Sequence, residues 1–233
     1  MSTRRGFLAA TGLLAASAAI GRAQDSCAVF TKDTQSATTP DEALAHLKEG
    51  NARFLSGRTM HCDLRTQVKD TANGQAPFAA VLGCMDSRVS PELAFDQRIG
   101  DIFVVRIAGN FVNTDILGSL EYATKVAGAK LIVVVGHTEC GAVKGAVDDV
   151  KMGNLTATLA NIRPAVLEVQ GFEGERTSKN KKFVQSVADR NAKDAAGMLI
   201  TRSDVIALLV KEQKLKIVSA MHNIGTGAVS WLA

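Results

Sequence analysis

Four short runs of apolar and β-branched residues, at 78–82, 102–107, 131–135 and 215–220, constrain the fold of this 233-residue chain more than any other feature. None alternates apolar with polar residues. Each therefore reads as a strand buried on both faces, the pattern of a parallel sheet covered by helices. Helical periodicities fill the intervals, at about 114–127, 141–152, 155–170, 179–200 and 203–214. A further one opens at Pro40-Asp41-Glu42, where early acids suit a helix start. Strands alternating with helices predict βαβ units: one α/β domain with a central, mainly parallel sheet flanked by helices. Apolar residues make up 46% of the chain, enough to bury such a core. The stretch between the third and fourth strands leaves room for an excursion away from the sheet.

The amino terminus reads differently. Arg4-Arg5 precede Phe7-Leu8, a mild apolar run rich in Ala and Gly follows, and Gly21-Arg22-Ala23 closes it. Together these predict a twin-arginine export signal over 1–23, cleaved after Ala23, and a periplasmic mature protein. An amphipathic helix that stays attached is the alternative. The apolar part is too short for a stable membrane span. Residues 24–39, rich in Ser and Thr, are expected as a loose polar arm. The formal charge of +4 carries no nucleic-acid argument, because Arg4, Arg5 and Arg22 lie in the signal and leave 24 basic against 23 acidic side chains.

Two predicted strands end in metal-ligand chemistry. One runs Val81-Leu82-Gly83-Cys84-Met85-Asp86-Ser87-Arg88 and another Val135-Gly136-His137-Thr138-Glu139-Cys140-Gly141. Ligands in open α/β sheets bind beyond the carboxyl ends of strands. Cys84, His137, Cys140 and Asp86 offer two thiolates, an imidazole and a carboxylate, a borderline-soft set suited to tetrahedral zinc. The absence of a Cys-x-x-Cys excludes a thioredoxin-type site.

Cys-x-Asp-Ser-Arg followed by His-x-x-Cys-Gly resembles the β-class carbonic anhydrases. The resemblance extends to Phe103–Asn110, to Leu117-Gly118-Ser119-Leu120-Glu121-Tyr122-Ala123, and to Ala220-Met221-His222-Asn223 with Thr226-Gly227 and Val229. It covers roughly 40–233, makes that span a zinc domain, and adds a C-terminal edge strand to the four-stranded sheet. Nothing carries over to the insertion between about 153 and 190.

The resemblance implies one Zn²⁺ per subunit on Cys84, His137 and Cys140. Asp86 is then either the fourth ligand or a hydrogen-bond partner of Arg88 while water takes that position. Residue chemistry supports such a gate, since two thiolates already neutralise Zn²⁺ and the Arg88 fork matches a carboxylate. The implied reaction is reversible hydration of CO₂ to bicarbonate and a proton by attack of zinc-bound hydroxide. Gln75 resembles the family's donor to substrate oxygen, Phe103 and Tyr122 its pocket wall, and Gly141 leaves space beside Cys140. In relatives some of these come from a neighbouring subunit, which implies a homodimer or higher even oligomer. Position 81 holds Val where some regulated relatives carry Trp, so their bicarbonate inhibition is not expected. His61 and His222 are candidate proton shuttles on pKa grounds alone. The same zinc chemistry on COS or CS₂, and a closed, non-catalytic zinc site, remain alternatives. Cys27 and Cys62 are left over; in an oxidising compartment they either pair as a disulfide or stay as two free thiols.

Overall fold

The computed structural model describes residues 27–232. The expected signal at 1–23 and its cleavage point lie outside them. In chain order the elements are α1 (Lys32–Ala37), α2 (Pro40–Leu55), α3 (Leu64–Thr71), β1 (Ala79–Gly83), α4 (Pro91–Ala94), β2 (Ile102–Arg106) and α5 (Thr114–Glu121). A π-helical turn, Tyr122–Val126, continues α5. There follow β3 (Leu131–His137), α6 (Gly141–Val147), α7 (Gly153–Ala160), α8 (Arg163–Glu168), α9 (Lys181–Thr201), α10 (Asp204–Lys211), β4 (Lys216–His222) and β5 (Val229–Leu232).

The sheet runs β2-β1-β3-β4-β5, parallel except for the antiparallel β5 at its edge. All four predicted strand runs are present, shifted by a residue or two at their ends. Every position of β1 and β3 is buried, because both faces are covered. Ala80, Leu82, Ile132 and Val134 pack with Leu120, Leu199 and Ile206 from the α5, α9 and α10 side. Val81 and Val133 pack on the other face with Ala43, Leu47, Phe78 and Phe95. Among the described residues no helix is long and apolar enough to cross a membrane.

Two expectations need correction. The helical pattern at 155–170 is two helices, since Pro164 in the first turn of α8 cannot continue α7. Residues 24–39 are not a loose arm where they are described. Thr31 and Thr34 form a reciprocal capping box that starts α1, and Gln35 on it is buried. Cys27 and Cys62 are joined by a disulfide, with Cα atoms 5.5 Å apart, which ties the arm to the segment after α2.

The β4–β5 hairpin hangs on one buried side chain. Asn51 of α2 donates to the carbonyls of Ala94 at 2.8 Å and Gly227 at 2.9 Å, and accepts from Val229 N–H at 3.0 Å. An Asn51→Ala substitution leaves those three backbone groups without it. We expect a loss of about 2–4 kcal/mol, since only the bond to Ala94 is fully buried and water can partly replace the two part-buried ones. Urea unfolding checks this; a shift under about 0.5 kcal/mol would contradict the role.

Candidate metal centre

Register sets the site. Gly83 of β1 lies opposite Val135 of β3, so Cys84, just past the end of β1, and His137, the last residue of β3, come together at the carboxyl edge of the sheet. Glu139, in the left-handed region at φ 59°, turns the chain so that Cys140 returns at the start of α6. One ligand atom each from Cys84, His137 and Cys140 fall within 4.8 Å of one another, and the two Sγ atoms are 4.0 Å apart. All three residues are buried.

Two of the three ligands are oriented by backbone contacts. His137 Nδ1 lies 3.0 Å from the Thr138 carbonyl, which can only accept, so that nitrogen carries the proton. Nε2 is left with its lone pair and no hydrogen-bond partner. A buried unpaired acceptor is costly, and a cation beside two sulfurs satisfies it. Gly109 N–H donates to Cys84 Sγ at 3.3 Å. Only glycine serves there, because φ is +84° and a Cβ would sit 2.3 Å from Ile162 Cδ1. The two sulfurs are close enough for one thiol to donate to the other. The Cys140 thiol holds Cys84 well below the ordinary thiol range, helped by His137 and Gly109. The same bond to Cys84, with burial, pushes Cys140 up. Two sulfurs and an imidazole are the donor set of zinc, so the residues fit that ion.

Asp86 stands beside this cluster and is turned to Arg88. The guanidinium donates from Nε to Oδ1 at 2.9 Å and from Nη2 to Oδ2 at 2.7 Å, and Arg88 N–H adds a bond to Oδ1 at 3.0 Å. Arg88 thereby holds the Asp86 carboxyl below the usual carboxylate range. Asp86 Oδ2 is still only 3.9 Å from His137 Nε2.

Arg106, which sequence reading missed, braces this loop by donating to the Cys84 carbonyl at 2.9 Å and the Asp86 carbonyl at 2.6 Å. Its signal was available: it is the charged last residue of an otherwise apolar strand. Glu139, bonded to Lys144 at 2.5 Å and 3.9 Å from Lys181, was missed as well. Gly141 is exposed next to Cys140, and a Cβ there would meet nothing within 4 Å.

Other predicted site residues are not brought to this cluster within one chain. Gln75 is exposed in the loop before β1, at the far end of the strand. Phe103 pairs with Ala80, four residues before Cys84. Its ring meets Tyr122 edge-on at 6.2 Å in a groove along the outer edge of the sheet. His61 is exposed on the loop after α2. His222 is buried opposite His137, with Nδ1 unpartnered and its pKa pushed down by burial and by His137.

The cluster has a chemical signature. In the metal-free chain, iodoacetamide should modify Cys84 and Cys140, and zinc should protect both together. Peptide mass spectrometry reads the extent; protection of only one thiol, or of neither, would contradict the arrangement.

Known proteins place the chain. The family described as carbonic anhydrase matches residues 79–229. Carbonic anhydrase 2 of Mycobacterium tuberculosis is 36% identical over 196 residues, covering 82% of this chain and 91% of that protein. The β-carbonic anhydrase CafA of Aspergillus fumigatus superposes with a TM-score of 0.64 at 26% identity, covering 82% of this chain and 89% of that one. A tetrameric β-carbonic anhydrase from Sordaria macrospora gives 0.62 at 26% identity, covering 72% of this chain and 90% of that one. With a shared fold, near full-length similarity and a Cys-His-Cys cluster at the strand ends, the chain belongs to the β-class carbonic anhydrases.

Proposed function

We propose that this carbonic anhydrase interconverts CO₂ and bicarbonate at one zinc ion per subunit, held by Cys84, His137 and Cys140, with Asp86 and Arg88 governing access to the fourth position. When bound, zinc acts as a Lewis acid that brings the pKa of a water down toward about 7, raised somewhat here by two thiolate ligands. The observation that carries this reading is the Asp86–Arg88 fork standing beside the three-ligand cluster.

The residues divide the remaining work. Both Asp86 oxygens face Arg88, which keeps the carboxylate off the cluster and spares a buried site a third anion. From there Asp86 can accept a hydrogen bond from the attacking water and aim its lone pair at carbon. Arg106 fixes the backbone that carries Asp86. Gly141 leaves room for a small substrate.

An apolar substrate needs an apolar wall. Phe103 and Tyr122 supply it in this reading from a neighbouring copy, and Gln75 of that copy supplies the hydrogen-bond donor to substrate oxygen. Tyr122 is 52% and Val126 69% exposed beside β2, whose outer edge has no partner strand among the described residues. An open strand edge flanked by exposed apolar side chains favours pairing with a second copy. A periplasmic destination, reached through the twin-arginine signal at 1–23, is supported by the Cys27–Cys62 bond, which suits an oxidising compartment.

Two measurements test the reading. Asp86→Asn should lower stopped-flow CO₂ hydration by about 100-fold or more while zinc content stays near wild type; wild-type turnover would sink the role. Chains carrying His137→Ala should be inactive alone and chains carrying Gln75→Ala strongly but measurably impaired, yet activity should recover when the two are co-expressed in one assembly. Mixed assemblies without activity would place Gln75 outside a neighbour's site.

A further inference from the structure

Gln35 lies on α1, in a polar segment remote from the metal ligands, yet it is only 3% exposed. Its Nε2 has two hydrogens and spends both. One goes to the Pro77 carbonyl at 2.6 Å and the other to the Ala127 carbonyl at 2.9 Å. Pro77 is two residues beyond Gln75, and Ala127 closes the π-helical turn that begins at Tyr122. One buried amide thus ties together the two segments that carry the donor and an aromatic wall residue of the proposed pocket.

We propose that Gln35 is a positioning residue of the substrate pocket, acting through Gln75 and Tyr122. This rests on the assignment of those two residues to the pocket made above. The link from Pro77 to Gln75 is short and stiff. Ala76 and Phe78 are buried, and proline confines Ala76 to extended backbone. Phe78 is bonded on both sides, its N–H to the Asp101 carbonyl at 2.9 Å and its carbonyl from Lys130 N–H at 2.8 Å. On the other arm, Gly128 has φ +91° and a Cβ there would lie 3.1 Å from Gln35 Oε1, so the backbone leaves that space to the amide. Lys32 Nζ also donates to the Ala127 carbonyl at 3.2 Å and to Gln35 Oε1 at 3.4 Å.

A six-residue helix does not hold itself in place. Outside ties do so here. The disulfide anchors Cys27, Arg98 donates to the Ala28 carbonyl, and the Phe30 ring packs on Phe78 and His46 at 4.9 and 5.8 Å. The arm is a brace applied to the pocket segments from outside the sheet.

The test is a cycle on zinc-loaded protein, reading kcat/KM for CO₂ beside zinc content and Tm. Gln35→Ala should lower kcat/KM about tenfold at unchanged zinc content, within what a misplacement of about 1 Å costs. Added to Gln75→Ala with Tyr122→Ala, it should cost less than about twofold more, because its targets are gone. A Gln35→Ala value within about twofold of wild type, or a full tenfold loss repeated in that background, overturns the brace. If Gln75→Ala with Tyr122→Ala itself keeps wild-type kcat/KM, the pocket assignment fails and the brace with it. Should Gln35→Ala not fold, Cys27→Ser with Cys62→Ser frees the arm without touching Gln35. A drop there that vanishes in the Gln75→Ala, Tyr122→Ala background supports the proposal; wild-type kcat/KM in that variant overturns it.

Discussion

The parallel pairing of β1 with β3 is the constraint on which the site depends. Neighbouring strands lie about 4.8 Å apart, so residues leaving two of them at the same level are within reach of one small ion without any long loop. Gly83 opposite Val135 puts Cys84 level with Gly136, one residue short of His137. The register is held by burial on both faces. A slip of one residue would turn Leu82 and Val134 away from the α5, α9 and α10 side and onto the α2 side, exchanging two differently shaped surfaces. Gly136 shows how tight the fit is, since a Cβ there would lie 2.7 Å from Met221 Cε. The apolar packing that forms the sheet also aligns the ligands.

Electrostatics then decides what such a cluster can do. Two thiolates balance a divalent ion, so a third anionic ligand would bury net negative charge, which a low-dielectric site penalises. Arg88 offers the Asp86 carboxylate a better place. Yet the Arg88 side chain is 53% exposed, so water screens the pair. A screened fork holds Asp86 aside and can still yield to a metal held by the cluster, since Asp86 Oδ2 is 3.9 Å from His137 Nε2. That balance, rather than a locked salt bridge, is what the proposed gate requires.

The strands and the ligand cluster were legible because both follow from local pattern: unbroken apolar runs, and metal-ligand residues at their ends. What escaped the reading depends on contacts between distant residues. Nothing local marks Gln35 as buried; its partners are carbonyls 42 and 92 residues away. α3 buries only the polar Gln67, leaves its apolar Leu64 and Val68 exposed, and is started by the Asp63 side chain rather than by apolar periodicity. Arg106 earns its place only once β2 lies beside β1, which puts its guanidinium against the Cys84 and Asp86 carbonyls. The break between α7 and α8 was visible in Pro164 but was overridden by the apolar period around it.

On the function proposed above, the same register makes one chain half of a working site. Phe103 lies opposite Ala80, and four residues of strand separate that level from Cys84, about 13 Å at 3.3 Å per residue. No phenylalanine rotamer spans such a gap, and Gln75 stands further back still, before β1 begins. If these side chains meet CO₂, they do so at the site of a neighbour laid along the open edge of β2, and each chain lends its far end to the other. The described arm then has a reason to be fastened by a disulfide and a buried amide. Segments that must project across an interface gain nothing from packing against their own active site, so their placement has to be secured from behind.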